Sequence, residues 1–532
     1  MTDRAAAATE RKGAGMAGDA QVTSRRASTL RLHPLDDVVI AKVPLAAGTT
    51  VETEVGPVRL RADVGAGHKI AFRARAAGEP VHRYGQLIGA ATTAIAPGEH
   101  VHTHNLARGE VRPDYEVGCD ARPVTRYAPE AMRHFQGFQR ADGRVGTRNY
   151  VAILSTVNCS ASVSRFVKDR FRDVRRDHPA VDGVIALTHR GGCGHIADGE
   201  DHRSLERVLA GYARHPNVAA YVVVGLGCEV VQPLQLIGRQ RLGDAPGGAP
   251  PLVVIQEAGG VRKAVEATAA AVERLLPAAA AARRTRQPVT HLVLGTNCGG
   301  SDGYSGITAN PALGWAVDEL VRYGGAAVLG ETTEIYGAEQ LLVRRAVSRE
   351  VAQRLLDRIA WWRRHLQAYQ ADVDHNPSPG NVAGGITTVL EKSLGGVAKG
   401  GTTPLVDVVG YAEPVRARGL TFMDTPGFDP VSVTGIVAGG SNLLAFTTGR
   451  GSVFGCKPVP SLKLASNSAM YRRMEEDMDV DCGAVLDGAT IEEIGRRILD
   501  ELVEVASGKQ TKSEQLGLGE EEFDPWLRGP TL

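Results

Sequence analysis

The apolar positions fall into two textures. Across residues 29–105 they come in short bursts, DDVVIAKV (36–43), VRLRADV (58–64), HKIAFRA (68–74) and GQLIGAATTAI (85–95), separated by AAGTT, GAG, AGEP and APGEH. Short strands with Gly and Pro turns at this spacing predict a small β-barrel or sandwich domain. From about residue 148 the runs become continuous: YVAILSTV (150–157), DGVIALTH (182–189), AAYVVVGLG (219–227), PLVVIQE (251–257), THLVLGTN (290–297) and GAAVLGE (325–331). Helical stretches such as SRFVKDRFRDVRRD, DHRSLERVLAGYARH and GVRKAVEATAAAVERLL lie between them. Continuous apolar strands alternating with helices predict a parallel sheet covered on both faces. Residues 346–370 have the period of one long amphipathic helix. NPSPGN (376–381) breaks the chain, and PLVDVVGY (404–411), SNLLAFTTG (441–449) and PSLKLAS (460–466) read as further strands.

The expected fold class is therefore α/β: a small N-terminal β domain, then a large Gly-rich α/β region with mostly parallel sheets in two subdomains. The expected boundaries are a disordered tail at 1–28, the β domain at 29–105 and a linker at 106–136. An α/β domain with cysteine-bearing strand ends at 137–390 and a C-terminal α/β domain with a polar tail at 391–532 complete the division.

Composition narrows the function. The chain has 532 residues, with 61 Lys+Arg against 60 Asp+Glu and a net charge of +1. Such a balance disfavours a nucleic-acid or anionic-membrane partner. No apolar run approaches the ~18 residues of a membrane span. Glycine is abundant, 63 residues, which implies many close backbone approaches. The seven cysteines are odd in number and widely spaced. Reduced thiols in the cytoplasm are the expectation rather than a secreted disulfide framework. Arg25 and Arg26 precede ASTLRLHPLDD, which lacks the apolar core of an export signal.

The sharpest chemical signal is positional. Cys159, Cys193, Cys228 and Cys298 each follow a predicted strand, in a small or Gly-rich turn. Ligands of open parallel sheets bind outside the carboxyl ends of the strands. Four distant thiols are thus expected to gather at one edge as a metal or iron–sulfur site. The plainer alternative is four small buried apolar side chains. The stretch CGGSDGYSGITANPALG (298–314) brings hydroxyls, Asp302 and free backbone amides together, as a polyhydroxylated or anionic small molecule requires. Arg450 in TTGRG is a candidate carboxylate clamp. Glu331 and Glu334, at another strand end, are candidate bases. In the β domain, GHK (67–69) and HVHTHN (100–105) carry histidines, and His102 and His104 share one face if they lie on a strand.

These residues make the chain similar to a known family. GHK, YGQLIGAAT, GEHVHTHN, DGRVGTRNY (142–150), HPNVAAYVVVGLGCE (215–229), CGGSDGYSGITANP, NPSPGNVAGGITT (376–388), EKSLGG (391–396) and FTTGRGSVFG (446–455) resemble the altronate/galactarate dehydratase family over about residues 35–515. The resemblance implies an N-terminal SAF domain and a hydro-lyase acting on a sugar acid. The altronate type is the nearest match, converting D-altronate to 2-dehydro-3-deoxy-D-gluconate and water. Galactarate and sulfolactate stay open as substrates, because HRGGCGHIADGEDH (189–202), GCKPVP and MDVDCG depart from the altronate pattern. It further implies ferrous iron (Fe2+), with an iron–sulfur cluster or Mn2+ as alternatives, and a site in the interdomain cleft. Expected metal ligands are Cys159, Cys193, Cys228 and Cys298. Expected catalytic residues are His68, Lys69, His102, His104 and Glu331, the histidines also being candidates for the metal. Expected substrate contacts are Ser301, Asp302, Asn310 and Arg450. The expected partner is a small sugar acid, in a homo-oligomer with no nucleic acid and no membrane. Two rivals are a non-catalytic sugar-acid-binding protein and a nicotinamide oxidoreductase; the turn STVNCSAS lacks the Gly-rich fingerprint the latter needs.

Overall fold

The computed structural model describes residues 28–109, 114–244 and 248–529. The expected N-terminal tail lies outside these, apart from Ser28. The first domain is all β. A four-stranded antiparallel sheet runs in the order Thr29–Leu30, Val38–Ala41, Lys69–Ala71, His100–Val101. A three-stranded sheet (Pro80–Arg83, Gln86–Ala91, Leu106–Ala107) and the hairpin Thr50–Thr53/Gly56–Arg59 complete it. Val39, Val51, Val58, Ile70 and Phe72 form its own core. The Gly-containing turns read from the sequence share one geometry: Gly48, Gly67, Gly78 and Gly98 all have φ between 82° and 86°. Glycine reaches this left-handed region without steric cost. The strand Leu106–Ala107 belongs to this domain, so the expected end at 105 falls two residues short.

From Tyr115 the segment after it is bound to the last domain. Tyr115 donates to Glu339 (2.7 Å), Arg344 to Asp120 (2.7 Å), and Tyr127 to Glu319 (2.6 Å) while stacking on Tyr323.

The second domain is a parallel sheet in the order Gly183–Leu187, Tyr150–Ser155, Val218–Gly225, Leu252–Val254. Helices Ala161–Arg170 and Val261–Ala281 cover one face, and Glu200–Ala213 covers the other. A seven-stranded parallel sheet makes the third domain: Leu405–Val409, Leu420–Met423, Ala326–Leu329, Val293–Cys298, Leu443–Thr448, Ser461–Ala465, Val480–Asp481. Its strands come from both sides of residue 390. The expected boundary there is corrected, because the chain changes unit between Val254 and Val293. NPSPGN does not separate domains. Ser378 accepts from Asn381 N and Pro379 takes the first turn, so the motif opens the short helix Pro379–Ala383.

Helix Glu200–Ala213 packs on helix Asp429–Ala438, burying Leu205, Val208, Leu209, Tyr212, Val433, Ile436 and Val437 in one core shared by the two parallel sheets. The polar tail is not confined to the surface. Phe523 sits edge-on to Tyr212 at 4.8 Å between ring centroids, and Trp526 stacks on Trp362 at 5.3 Å. Among the described residues no helix is long and apolar enough to cross a membrane.

Candidate functional site

The first domain meets the third through backbone. Gly67 has φ +82°, and a Cβ there would lie 3.4 Å from the Gly384 carbonyl; a Cβ on Gly303 would collide with the Gly67 carbonyl. Only glycine permits this approach. The contact presses the turn before Lys69 and the strand end at His100–Val101 against the loop after Ala383.

Three imidazoles converge at this seam. The ring nitrogens of His68, His100 and His102 include one from each that all lie within 4.8 Å of one another. His68 Nδ1 is 2.9 Å from His100 Nε2, and ring centroids are 5.0–5.1 Å apart. Burial depresses all three, helped at His68 and His102 by the Lys69 ammonium; His100 falls to about 3 and His102 to about 4. They are therefore neutral at pH 7, the form that donates a lone pair to a divalent cation. His102 Nε2 lies 3.0 Å from the Val382 carbonyl, and its Nδ1 accepts from Thr103 N at 2.7 Å. His104 is exposed, with its ring 5.6 Å from that of His100. Arg450 is exposed on the rim: its Cδ would be 3.3 Å from a Cβ at Gly384.

Behind the seam a buried charge cluster fixes the docking. Lys69 Nζ donates to both Glu391 oxygens at 2.9 Å and to the Gly385 carbonyl at 2.7 Å. Arg83 donates to Glu391 and, at 2.6 Å, to the Gly303 carbonyl. Burial alone would raise the Glu391 pKa, but Lys69 and Arg83 hold the carboxyl down at about 2. Burial also lowers Lys69, to about 8.

A second acid–base group lies inside the third domain. Cys298 ends the central strand. Its Sγ is 2.9 Å from Lys399 Nζ, 3.4 Å from Glu334 Oε2 and 3.8 Å from Glu331 Oε1. Lys399 also pairs with Glu331, and Lys392 with Glu334 at 2.7 Å. Glu331 has φ +65°, a strained value for a residue with a side chain, held by Thr425 Oγ1 accepting from its N–H at 2.6 Å. Burial raises its carboxyl to about 7 against the pull of Lys399. Asp429, which accepts from Asn297 at 2.9 Å, is raised to about 8 by burial and by the Glu331 charge. Cys298, Glu331 and Glu334 satisfy the proximity a cation needs. Two ammonium groups already neutralise the two carboxylates, so the histidines are the better metal donors.

Comparison with known proteins decides the family. Residues 27–109 match the altronate/galactarate dehydratase SAF domain. Residues 137–280 match the second domain of D-galactarate dehydratase/altronate hydrolase, and 289–531 the D-galactarate/altronate dehydratase C-terminal domain. Altronate dehydratase of Escherichia coli (strain K12) is 36% identical over 91% of this chain and 96% of its own. The altronate dehydratase of Bacillus subtilis (strain 168) is 34% identical over 92% and 97%. Galactarate dehydratase (L-threo-forming) of E. coli K12 is 36% identical over 92% and 95%. The chain belongs to the altronate/galactarate dehydratase family. It is a carbon–oxygen lyase.

Three of the residues singled out in this dehydratase come from both sides of the docking contact. His68, His102 and Arg450 meet at the interdomain seam. His100, which the alternating reading passed over, is the third member of the imidazole group; its signal was the full H-x-H-x-H of HVHTHN. The strand stops at Val101, so His102 and His104 lie on a turn and do not share a strand face: His102 is buried and His104 exposed.

Other expectations are corrected. Lys69 has three acceptors around Nζ and is a docking residue. Asp302 organises its loop, Oδ1 accepting from Tyr304 N, Ser305 N, Ser305 Oγ and Ser466 Oγ while Oδ2 accepts from Asn467 Nδ2. Ser301 and Asn310 line a small buried cavity with Cys298 and Arg83; Asn310 Oδ1 has no partner there. The four-thiol set divides. Cys298 is buried in the seven-stranded sheet with Lys399, whereas Cys159, Cys193 and Cys228 are exposed on the other sheet. Glu331 is fully buried in the Cys298 group, away from solvent. Sequence reading passed over Lys399, Lys392 and Glu391, which sit on an amphipathic-looking helix and its end (Val389–Ala398), where nothing local marks them as functional.

Proposed function

We propose that this enzyme dehydrates D-altronate, or a closely related aldonic or aldaric acid, across C2–C3. The single observation that supports this reading is the imidazole trio at the seam with Arg450 on its rim. His68, His100 and His102 would hold a divalent metal, for which ferrous iron is the expectation. The donors are neutral and grouped within 4.8 Å, and binding would release His102 from the Val382 carbonyl and part the His68–His100 hydrogen bond. When bound, such an ion supplies Lewis acidity for a hydroxy acid.

The chain's own groups do the rest. Arg450 takes the substrate carboxylate and fixes which end of the molecule faces the histidines. His104, the imidazole of HVHTHN left outside the trio, accepts the C2 proton. Positioned general bases contribute about 10²–10⁴-fold in rate. The Lys69–Glu391–Arg83 cluster keeps the two domains in register, so the reacting carbon stays opposite the base. Hydroxide leaves from C3, and the resulting enol tautomerises to the 2-keto-3-deoxy acid. The sulfo-lyase relative, (2R)-sulfolactate sulfo-lyase subunit beta of Chromohalobacter salexigens, is 33% identical over 72% of this chain, which keeps sulfolactate on the test panel.

The test is a 2-keto-acid assay on anaerobically purified, iron-loaded protein with D-altronate, galactarate and (2R)-sulfolactate. Keto-acid formation from altronate is the expected result. Altronate binding without product would refute the reading.

A further inference from the structure

Three cysteines follow strand ends on one edge of the second domain. The strand ending at Ser155 is flanked by those ending at Leu187 and Gly225, all parallel, so their carboxyl ends open on the same edge. Cys159, Cys193 and Cys228 each lie within a few residues of one of these ends. The loops that carry them are fastened to one another. Asn158 N donates to the Gly191 carbonyl at 3.0 Å, Val230 N and Val231 N donate to the Gly192 carbonyl at 2.9 and 3.1 Å, and Thr156 Oγ1 donates to Glu229 at 2.8 Å. Gly192 has φ +97°, and a Cβ there would strike the Thr156 carbonyl. Glycine at 192 is what lets the Cys193 loop lie on the Cys159 loop.

Exposure argues against a packing role. Cysteine is among the residues most often buried, and Cys298, Cys456 and Cys482 are. The three at this edge are all exposed and none is in a disulfide; Cys119, the other exposed cysteine, lies apart on the connecting segment. Spacing argues against a single ion held by all three. The three sulfurs are not all within 4.8 Å of one another. One zinc ion holds sulfurs at about 2.3 Å, which puts any two no more than about 4.6 Å apart. A cluster reaches further, because each thiolate binds a different iron. The next candidate ligand along the Cys193 loop, His195, has its Nε2 accepting from Gly192 N at 3.0 Å.

We propose that Cys159, Cys193 and Cys228 bind a [4Fe–4S] cluster whose fourth iron has no cysteine and is open to water or an oxygen of a small hydroxy acid. Each thiol loses its proton to solvent and gives a sulfur lone pair to one iron; the cluster brings its own irons and sulfides, and no electron is transferred. Cys298 is not part of the set, being held on another sheet by Lys399 and Glu331. The proposal is independent of the histidine site.

The experiment is anaerobic reconstitution of the full chain with ferrous iron and sulfide, followed by iron and labile-sulfide analysis, visible absorption and electron paramagnetic resonance after reduction. The wild type is expected to gain about four irons and about four sulfides, with a broad visible charge-transfer band. Cys159→Ser, Cys193→Ser and Cys228→Ser should each lose most of the band, while Cys119→Ser keeps it; circular dichroism checks that each variant is folded. Failure of the wild type to retain labile sulfide, binding of a lone metal ion in its place, or an undiminished band in the folded triple variant would each overturn the proposal. Histidine-site variants should keep the band, so loss of keto-acid formation and loss of the cluster are read separately.

Discussion

Lys69 in the N-terminal domain and Glu391 in the C-terminal domain, 322 positions apart, are joined through both carboxylate oxygens at 2.9 Å with essentially no solvent exposure. Breaking one side of a buried pair leaves a charge uncompensated, which costs about 3–5 kcal/mol. Glu391→Gln strands both Lys69 and Arg83. It should lower the unfolding free energy by that order, read as a lower urea midpoint, and weaken metal retention at the proposed His68, His100 and His102 site, because the turn carrying His68 loses its anchor. An unchanged midpoint in the variant would show that the pair is not the clamp.

The same pair sets an acid limit. The Glu391 carboxyl is held at about 2 when folded, below its ordinary value near 4.5. A depressed carboxyl contributes stability that is complete above the unfolded value and is lost as pH falls toward the folded one. Thermal stability should therefore drop between pH 4.5 and 2, and this acid slope should shrink in Glu391→Gln when melting temperatures are compared across that range.

Asp429 runs the other way. Its carboxyl is raised from 3.8 to about 8, so the folded state binds a proton that the unfolded state releases between those values. Stability from this group falls as pH rises from about 4 to 8. Asp429→Asn removes the titration while keeping the shape, and its melting temperature should vary less than that of the wild type across this window.

The histidines should separate by readout. His100→Ala removes one of three donors and is expected to lower metal content at least ~10-fold, the scale at which even outer-shell changes act. His104→Ala should keep its metal yet lose about 10²–10⁴-fold in kcat, if it is the base. Metal loss in His104→Ala, or full activity, would remove that role. Paired metal analysis and keto-acid kinetics make the check.

Trp526 in the tail stacks on Trp362 and is 8% exposed. Trp526→Ala should cost about 3–5 kcal/mol, the usual price of truncating a buried aromatic. Denaturant unfolding of the variant measures it.

Much of this was legible from residue order. Each of the six apolar runs between 150 and 331 contains a strand, although PLVVIQE turns into the helix Ile255–Ala258 after Val254, and the Gly turns of the first domain fall where AAGTT, GAG, AGEP and APGEH stand. HVHTHN announced a metal-competent cluster, although alternation pointed to two histidines where the turn after Val101 selects His100 and His102. What misled was NPSPGN. Proline marks the first turn of a helix as readily as the end of a domain, and only the sheet order shows strands from both sides in one sheet.

Local sequence dictated the period of each element, the turns that need glycine, and the placing of four thiols at strand ends, because these follow from backbone sterics and from the burial of apolar faces. It did not dictate partnership. Which sheet each strand joins separates Cys298 from Cys159, Cys193 and Cys228, and domain docking delivers Glu391 to Lys69 and the Val382 carbonyl to His102. Those pairings depend on contacts between residues hundreds of positions apart, whose free energy exists only when the packed domains exclude water.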